Sequence, residues 1–109
     1  MSSRDNYRNG RKAEAAVARL IAREGCSGVS LAPGSRGPAD VIADHCPFAP
    51  KGLAIQVKST IRDGDPCARV KETDERRLRR FGRARRTATA FACVSRGGAI
   101  RFYSRLRRR

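Results

Sequence analysis

Asp40, Gln56 and Lys58 are the residues whose types and spacing could do chemistry. Asp40 closes the triplet Pro38-Ala39-Asp40 and stands at the head of a short apolar run, Val41–Ala43. Gln56 and Lys58 stand two apart on a second run, Leu53–Thr60. Both runs read as neighbouring strands joined by a loop that carries proline and glycine. Side chains two apart on a strand point to one face. A carboxylate, an amide oxygen and an ammonium can therefore converge on one spot. The acid would hold a hard cation through oxygen, and the lysine would supply positive charge near a water or a phosphate. These are the requirements of magnesium-dependent phosphodiester cleavage.

Those strands need elements to position them. Ala13, Ala16, Val17, Leu20 and Ile21 follow helical spacing from near Asn9, with Gly25 where a C-cap belongs. Residues 1–7 are polar and are expected to be mobile. Glu14 lies at the edge of the helical stripe. From there its carboxylate either leans toward Asp40 or pairs with Arg11 at the surface. Val29–Ala32 reads as a short strand, followed by an irregular loop from Pro33 to Pro38. The Ser35 hydroxyl and the loop amides there could meet a phosphate, or Ser35 is an ordinary turn serine. His45–Gly52 is a loop, and a lone loop histidine such as His45 is expected to be solvated. Ile61–Arg69 reads as an exposed loop in which Asp63 and Asp65 resemble a fragment of a metal loop, broken by Pro66. A helix over Lys71–Arg86 has a narrow apolar face of Leu78, Phe81 and Ala84. Thr87–Val94 is a strand, Ser95–Gly98 a hairpin turn and Ala99–Tyr103 the last strand. The order is α-β-β-β-α-β-β, in one domain spanning residues 1–109.

Charge narrows the partners. The 109 residues hold 25 Lys and Arg against 10 Asp and Glu, a formal net charge of +15. That excess points to a polyanion, nucleic acid first. Arg8, Arg11, Arg36, Arg76, Arg80 and Arg83 are candidate phosphate contacts, as is the tail of Arg105 and Arg107–Arg109. No apolar stretch is long enough to span a bilayer, and no apolar signal-peptide core opens the chain. A cytoplasmic protein is therefore expected. The cysteines, Cys26, Cys46, Cys67 and Cys93, form no CxxC pair, so reduced structural thiols are expected rather than a zinc cluster.

Together, Pro38-Ala39-Asp40 and Gln56-Val57-Lys58, with Glu14 on the preceding helix, resemble the PD-(D/E)XK nuclease superfamily. Size and element order look most like the archaeal-type Holliday junction resolvases, also found in phages, from about Arg8 to Tyr103. Gln56 stands where that family usually has an acid. The resemblance implies an α/β fold, a central mixed sheet flanked by helices, and a Mg2+ cofactor for which Mn2+ can substitute. It implies that Asp40, the Gln56 oxygen and the Val57 carbonyl surround the ion. Glu14 would bind a second ion or a metal-bound water, and Lys58 would serve the attacking water or the phosphate. Ser35, with Ser30 as fallback, would contact the scissile phosphate. A four-way DNA junction is the implied substrate, and its two symmetric cuts imply a C2 homodimer whose pairing patch could include Phe81, Phe91, Phe102 or Tyr103. Two alternatives stay open: a non-catalytic basic nucleic-acid-binding protein, and a repair or restriction nuclease acting on other DNA. Neither a membrane nor a small-molecule substrate is expected.

Binding to duplex DNA should be strongly salt-dependent and largely indifferent to sequence, with the log–log slope steepening by about −0.9 for each phosphate neutralised. Replacing Arg76, Arg80 and Arg83 together should flatten that slope in a salt-titrated gel shift. A wild-type slope near zero would remove the phosphate-contact reading of the arginines.

Overall fold

The computed structural model describes residues 3–32, 37–60 and 63–103. Helix α1 spans Ser3–Arg23. Its inner stripe is Ala13, Val17 and Ile21, all buried. Gly25 ends it in the left-handed conformation (φ 101°). The Cys26 amide donates to Ile21 O at 3.0 Å and the Gly25 amide to Ala22 O at 3.1 Å, the paired bonds of a Schellman cap. The helix starts earlier than the apolar stripe indicates, at Ser3 rather than near Asn9. Once nucleated, a helix adds a hydrogen bond per residue without needing an apolar face.

One five-stranded sheet follows, with β1 (Ser30–Leu31), β2 (Val41–Ala43), β3 (Leu53–Ser59), β4 (Ala88–Val94) and β5 (Ile100–Tyr103) adjacent in that order. β3 and β4 pair in parallel, with Leu53 opposite Ala88 and Ser59 opposite Val94; the other pairs are antiparallel. The parallel pair needs a crossover. It is made by a 3-10 turn at Pro66–Arg69 and helix α2, Glu72–Arg85. α1 covers one face of the sheet, where Val17 and Ile21 meet Val41, Ile55 and Ala92. α2 covers the other, where Leu78 meets Ala54, Phe91 and Cys93. Burial on both faces explains why β3 and β4 read as continuous apolar runs rather than alternating ones. This is the expected α/β arrangement, a central mixed sheet flanked by helices.

Three local readings need correction. The inner stripe of α2 is Glu75, Leu78 and Gly82, whereas Ala84 is exposed. Gly82 sits where a Cβ would collide with the Thr89 methyl and approach Thr87 O at 3.1 Å, so its lack of a side chain lets α2 lie close on β4. Asp63 and Asp65 form no metal loop. Asp65 caps the 3-10 turn through the Cys67 amide at 2.9 Å and pairs with Arg101, while Asp63 pairs with Arg96 at 3.5 Å. The cysteines are not separate thiols: Cys26 is bonded to Cys46 and Cys67 to Cys93, across sequence separations of 20 and 26. No spacing motif marks either pair, because the fold alone brings the end of α1 beside the β2–β3 loop and the 3-10 turn beside β4. Loops of this length confer about 3 kcal/mol each in chain-entropy terms. Among the described residues, no helix is long and apolar enough to cross a membrane.

Gly52 fixes the start of β3. Its amide donates to Ala49 O at 2.9 Å and its carbonyl accepts from Ala88 N at 3.0 Å, with φ at 106°. A Cβ there would lie 2.8 Å from the backbone oxygen of Ala43. Gly52→Ala therefore combines left-handed strain with a backbone collision and should cost about 2 kcal/mol or more. A thermal melt should show Tm lowered by roughly 8 °C or more; an unchanged Tm would contradict this account of the turn.

Candidate active site

The site is built where β2 stops and β3 continues. The Asp40 amide donates to Ile55 O at 2.7 Å, and the Val57 amide donates to Asp40 Oδ2 at 2.8 Å. The carboxylate thus accepts the ladder bond that a further residue of β2 would have taken. Val41↔Ile55 is the last pair of the β2–β3 ladder, and Gln56 lies on β3 between Ile55 and Val57, the two residues whose backbone Asp40 engages.

Glu14 comes from α1 on the first-helix side and is only 7% exposed. Arg11 Nη1 donates to Glu14 Oε1 at 3.0 Å and reaches Ala32 O at 3.5 Å. Both readings of Glu14 therefore hold in part: it pairs with Arg11, yet it does so from within the fold and feels Asp40. Burial, then the charge of Asp40, pushes the Glu14 carboxyl above its ordinary value against the opposing pull of Arg11. Burial likewise pushes the Asp40 carboxyl up, against the Val57 amide, Lys58 and Arg11. Glu14, Asp40, Arg11 and Lys58 thus share one electrostatic site. Arg11, expected as a phosphate contact, is half-buried as part of that site.

Gln56 and Lys58 point to the α2 face, with Ala54. Gln56 Oε1 is buried and has no hydrogen-bond donor among the described residues; the other such oxygen, Thr87 Oγ1, lies at the opposite end of the sheet. A buried acceptor left unpaired is costly, and it is an available ligand atom. Lys58 Nζ lies 3.4 Å from Asp74 Oδ2 in the first turn of α2. Asp74 also accepts from the Lys71 amide at 3.0 Å. Its burial raises its carboxyl, but the Lys71 amide and Lys58 outweigh this and hold it below the ordinary value. Asp74 was not legible in the sequence as a site residue. Its only signal is its place near a helix start, which every first-turn acid shares.

Ser35 and Arg36 lie outside the described residues, as does the side chain of Arg8. Ser30 is exposed on β1, and His45 is exposed where the chain bridges to Ser27. Arg76, Arg80 and Arg83 are exposed along the outer side of α2. Arg76 lies 3.9 Å from Glu72, in an exposed pair of the kind that contributes little.

Among the described residues, no three His, Cys, Asp or Glu side chains gather to hold a metal ion. The donor set is two carboxylates, Glu14 and Asp40, and the unpaired Gln56 oxygen. Hard oxygen donors that fill only part of a coordination sphere suit Mg2+, which keeps several waters and takes one or two carboxylates. Burial raises both carboxyls, Asp40 raises Glu14 further, and Lys58 acts on Asp40 alone; such a donor set suits a divalent cation.

Comparison of the chain with family models, with characterised proteins and with solved structures finds no match.

A pH test follows from Asp40. Its carboxyl is raised in the folded chain, so the folded state holds a proton that the unfolded chain releases at about pH 3.9. The stability from this group is complete below that pH and is lost as pH rises through the folded value. Asp40→Asn keeps an acceptor for the Val57 amide and removes the titration. In EDTA, the Tm of this variant minus that of the wild type should grow as pH rises from the acid to the neutral range. A difference that shrinks over the same range would show that Asp40 is stabilised as the anion.

Proposed function

We propose that the chain is a divalent-cation-dependent DNA endonuclease of the PD-(D/E)XK type, cutting four-way junctions. The observation that carries this reading is the unpaired, buried oxygen of Gln56, the residue before Val57 whose amide holds Asp40, with Glu14 and Lys58 in the same electrostatic site. Glu14, Asp40 and Gln56, with the Val57 carbonyl, would hold Mg2+, or Mn2+ in its place. The bound cation would lower the pKa of a water and offset the repulsion between hydroxide and phosphodiester.

The chain's own groups divide the remaining work. The Val57 amide fixes the Asp40 carboxylate in one orientation. Arg11 holds Glu14 and adds positive charge where a phosphate would approach. Lys58 supplies a donor to the attacking water or to the charge that develops on phosphorus-bound oxygen. Asp74 restrains Lys58 and ties it to α2, whose outer arginines would take the DNA backbone. Charge on α2 and the lysine on β3 thus lie on either side of one ion pair. Paired cuts in opposed strands need two such sites, hence two copies about a twofold axis.

The test is cleavage of a labelled four-way junction beside a plain duplex across a Mg2+ titration, with gel-shift affinities in Ca2+. Asp40→Asn and Lys58→Ala should each lose about a hundredfold or more in rate, while the Ca2+ gel shift stays at the wild-type level. Gln56→Glu should lower the Mg2+ concentration for half-maximal rate. Wild-type cutting by Asp40→Asn would sink the site assignment. Binding without cleavage under every condition would favour a non-catalytic nucleic-acid-binding protein, and equal cutting of duplex and junction would favour a repair or restriction nuclease.

A further inference from the structure

We infer that a second phosphate-binding site lies on the flank of α1 away from the carboxylates, and that it takes the DNA strand lying across a groove from the strand at Asp40. The site is a hollow of about 410 Å3. It opens where the parallel strands β3 and β4 end together, with Ser59 opposite Val94. Ligands of open α/β sheets collect outside the carboxyl ends of the strands.

Helix periodicity separates this hollow from the carboxylates. Residues three and four apart share a flank of a helix. Lys12 and Ala16 therefore lie to one side of the buried pair Ala13 and Val17, and Arg11 and Glu14 lie to the other. Arg11 reaches Ala32 O beside β1, and Glu14 feels the charge of Asp40. Lys12 and Ala16 instead wall the hollow, against Ser59 on β3 and Arg96 in the β4–β5 turn. The two sites thus straddle one helix at one end of the sheet.

The lining selects the ligand. Lys12 and Arg96 bring two exposed cations, Ser59 and Ser95 bring hydroxyls, and the described lining holds no carboxylate. Ser95 Oγ accepts from the Ala99 amide at 3.2 Å, which leaves its hydrogen to donate. Asp63 stands 3.5 Å from Arg96, but its side chain is 94% exposed, and so exposed a pair holds the arginine weakly. The hollow stays open at its turn side, where a Cβ on Gly98 would meet nothing within 4 Å. Cations and hydroxyls around a space of this size suit a phosphodiester and its sugar. Spacing favours a duplex over a free nucleotide. A helix with its side chains is about 10–12 Å across, and the major groove of DNA is about 12 Å wide. Phosphates of the two strands bordering one groove can therefore occupy both flanks of α1 at once. The strand at Asp40 rests on the nuclease reading, whereas the affinity of the hollow for phosphate does not.

Fluorescence anisotropy of a short labelled duplex, titrated with salt in EDTA, tests this on the full chain. Lys12→Gln combined with Arg96→Gln should weaken binding about tenfold or more and flatten the log–log salt slope by about 0.9. Circular dichroism should be unchanged, because both side chains are exposed. Ala16→Leu removes no charge but fills the hollow, and it should weaken binding in the same direction. Arg19→Gln combined with Arg23→Gln removes equal charge from exposed positions of α1 outside the described lining, and should change affinity no more than about twofold. The Lys12 and Arg96 pair should cost markedly less affinity for one of the separated strands, which has no partner across a groove. Wild-type duplex affinity in that pair overturns the inference. So does an equal loss in the Arg19 and Arg23 pair, which would leave bulk charge alone at work, or an equal loss on the single strand. A 5′-mononucleotide whose binding needs Lys12 and Arg96, with duplex affinity untouched, would assign the hollow to a free nucleotide and equally overturns it. No arm reads cleavage, so a chain that never cuts DNA can still show this site, and a chain that cuts can still lack it.

Discussion

Placing the charge of Asp40 against the sheet is the constraint to which the rest of this molecule answers. A carboxylate taken out of water needs hydrogen bonds and counter-charge, or it keeps its proton. The chain provides one backbone amide, from Val57, and two cations at longer range, Lys58 and Arg11. Each arrives from a different segment. The amide requires β2 to end where β3 continues. Arg11 requires α1 to cross the same end of the sheet, and Lys58 requires the next inward-facing position along β3. The compensation is incomplete, since the carboxyl remains raised. A cation bound beside the carboxylate would relieve that residual deficit.

Much of the fold was legible because burial on both sheet faces leaves a strong mark. The apolar runs of β3 and β4, the stripe of α1 and the Gly25 cap each follow from one local rule, and each appears within a residue or two of its expected bounds. The placing of Gln56 and Lys58 on one face of β3 was also legible, since strand parity fixes which side chains share a face. What the sequence could not convey was contact between segments without a spacing rule. Lys58 meets Asp74 across a crossover. Arg11 turns inward to Glu14 although its type and neighbours suit an exposed phosphate contact. Ala84 and Gly82 differ by only two positions on α2, and the close approach of the helix to Thr89 decides which of them faces the sheet.

The distribution of charge and apolar surface divides the molecule into two unlike sides. α2 presents exposed arginines along its outer side. The α1 side presents, beside the start of β3, a groove lined by alanines, leucines and two phenylalanines, Phe48 and Phe102. A single small core cannot hide every large side chain of a 109-residue chain, so where the surplus emerges is informative. Here it emerges away from the arginines of α2 and on a turn that backbone hydrogen bonds and a disulfide hold in shape. Phe91 is buried, and Phe81 and Tyr103 are half-covered beside α2. Phe102 faces the other way because β5 alternates.

The Cys67–Cys93 bond closes a covalent ring, and α2 lies wholly inside it. A polyanion that pulls on the outer arginines therefore cannot peel the helix from the sheet by unravelling the connection before it. The load passes instead through the bridge to Cys93 on β4, which sits opposite Lys58 in the parallel ladder. The bridge thus ties the start of the crossover to the strand that pairs with β3 beside Lys58.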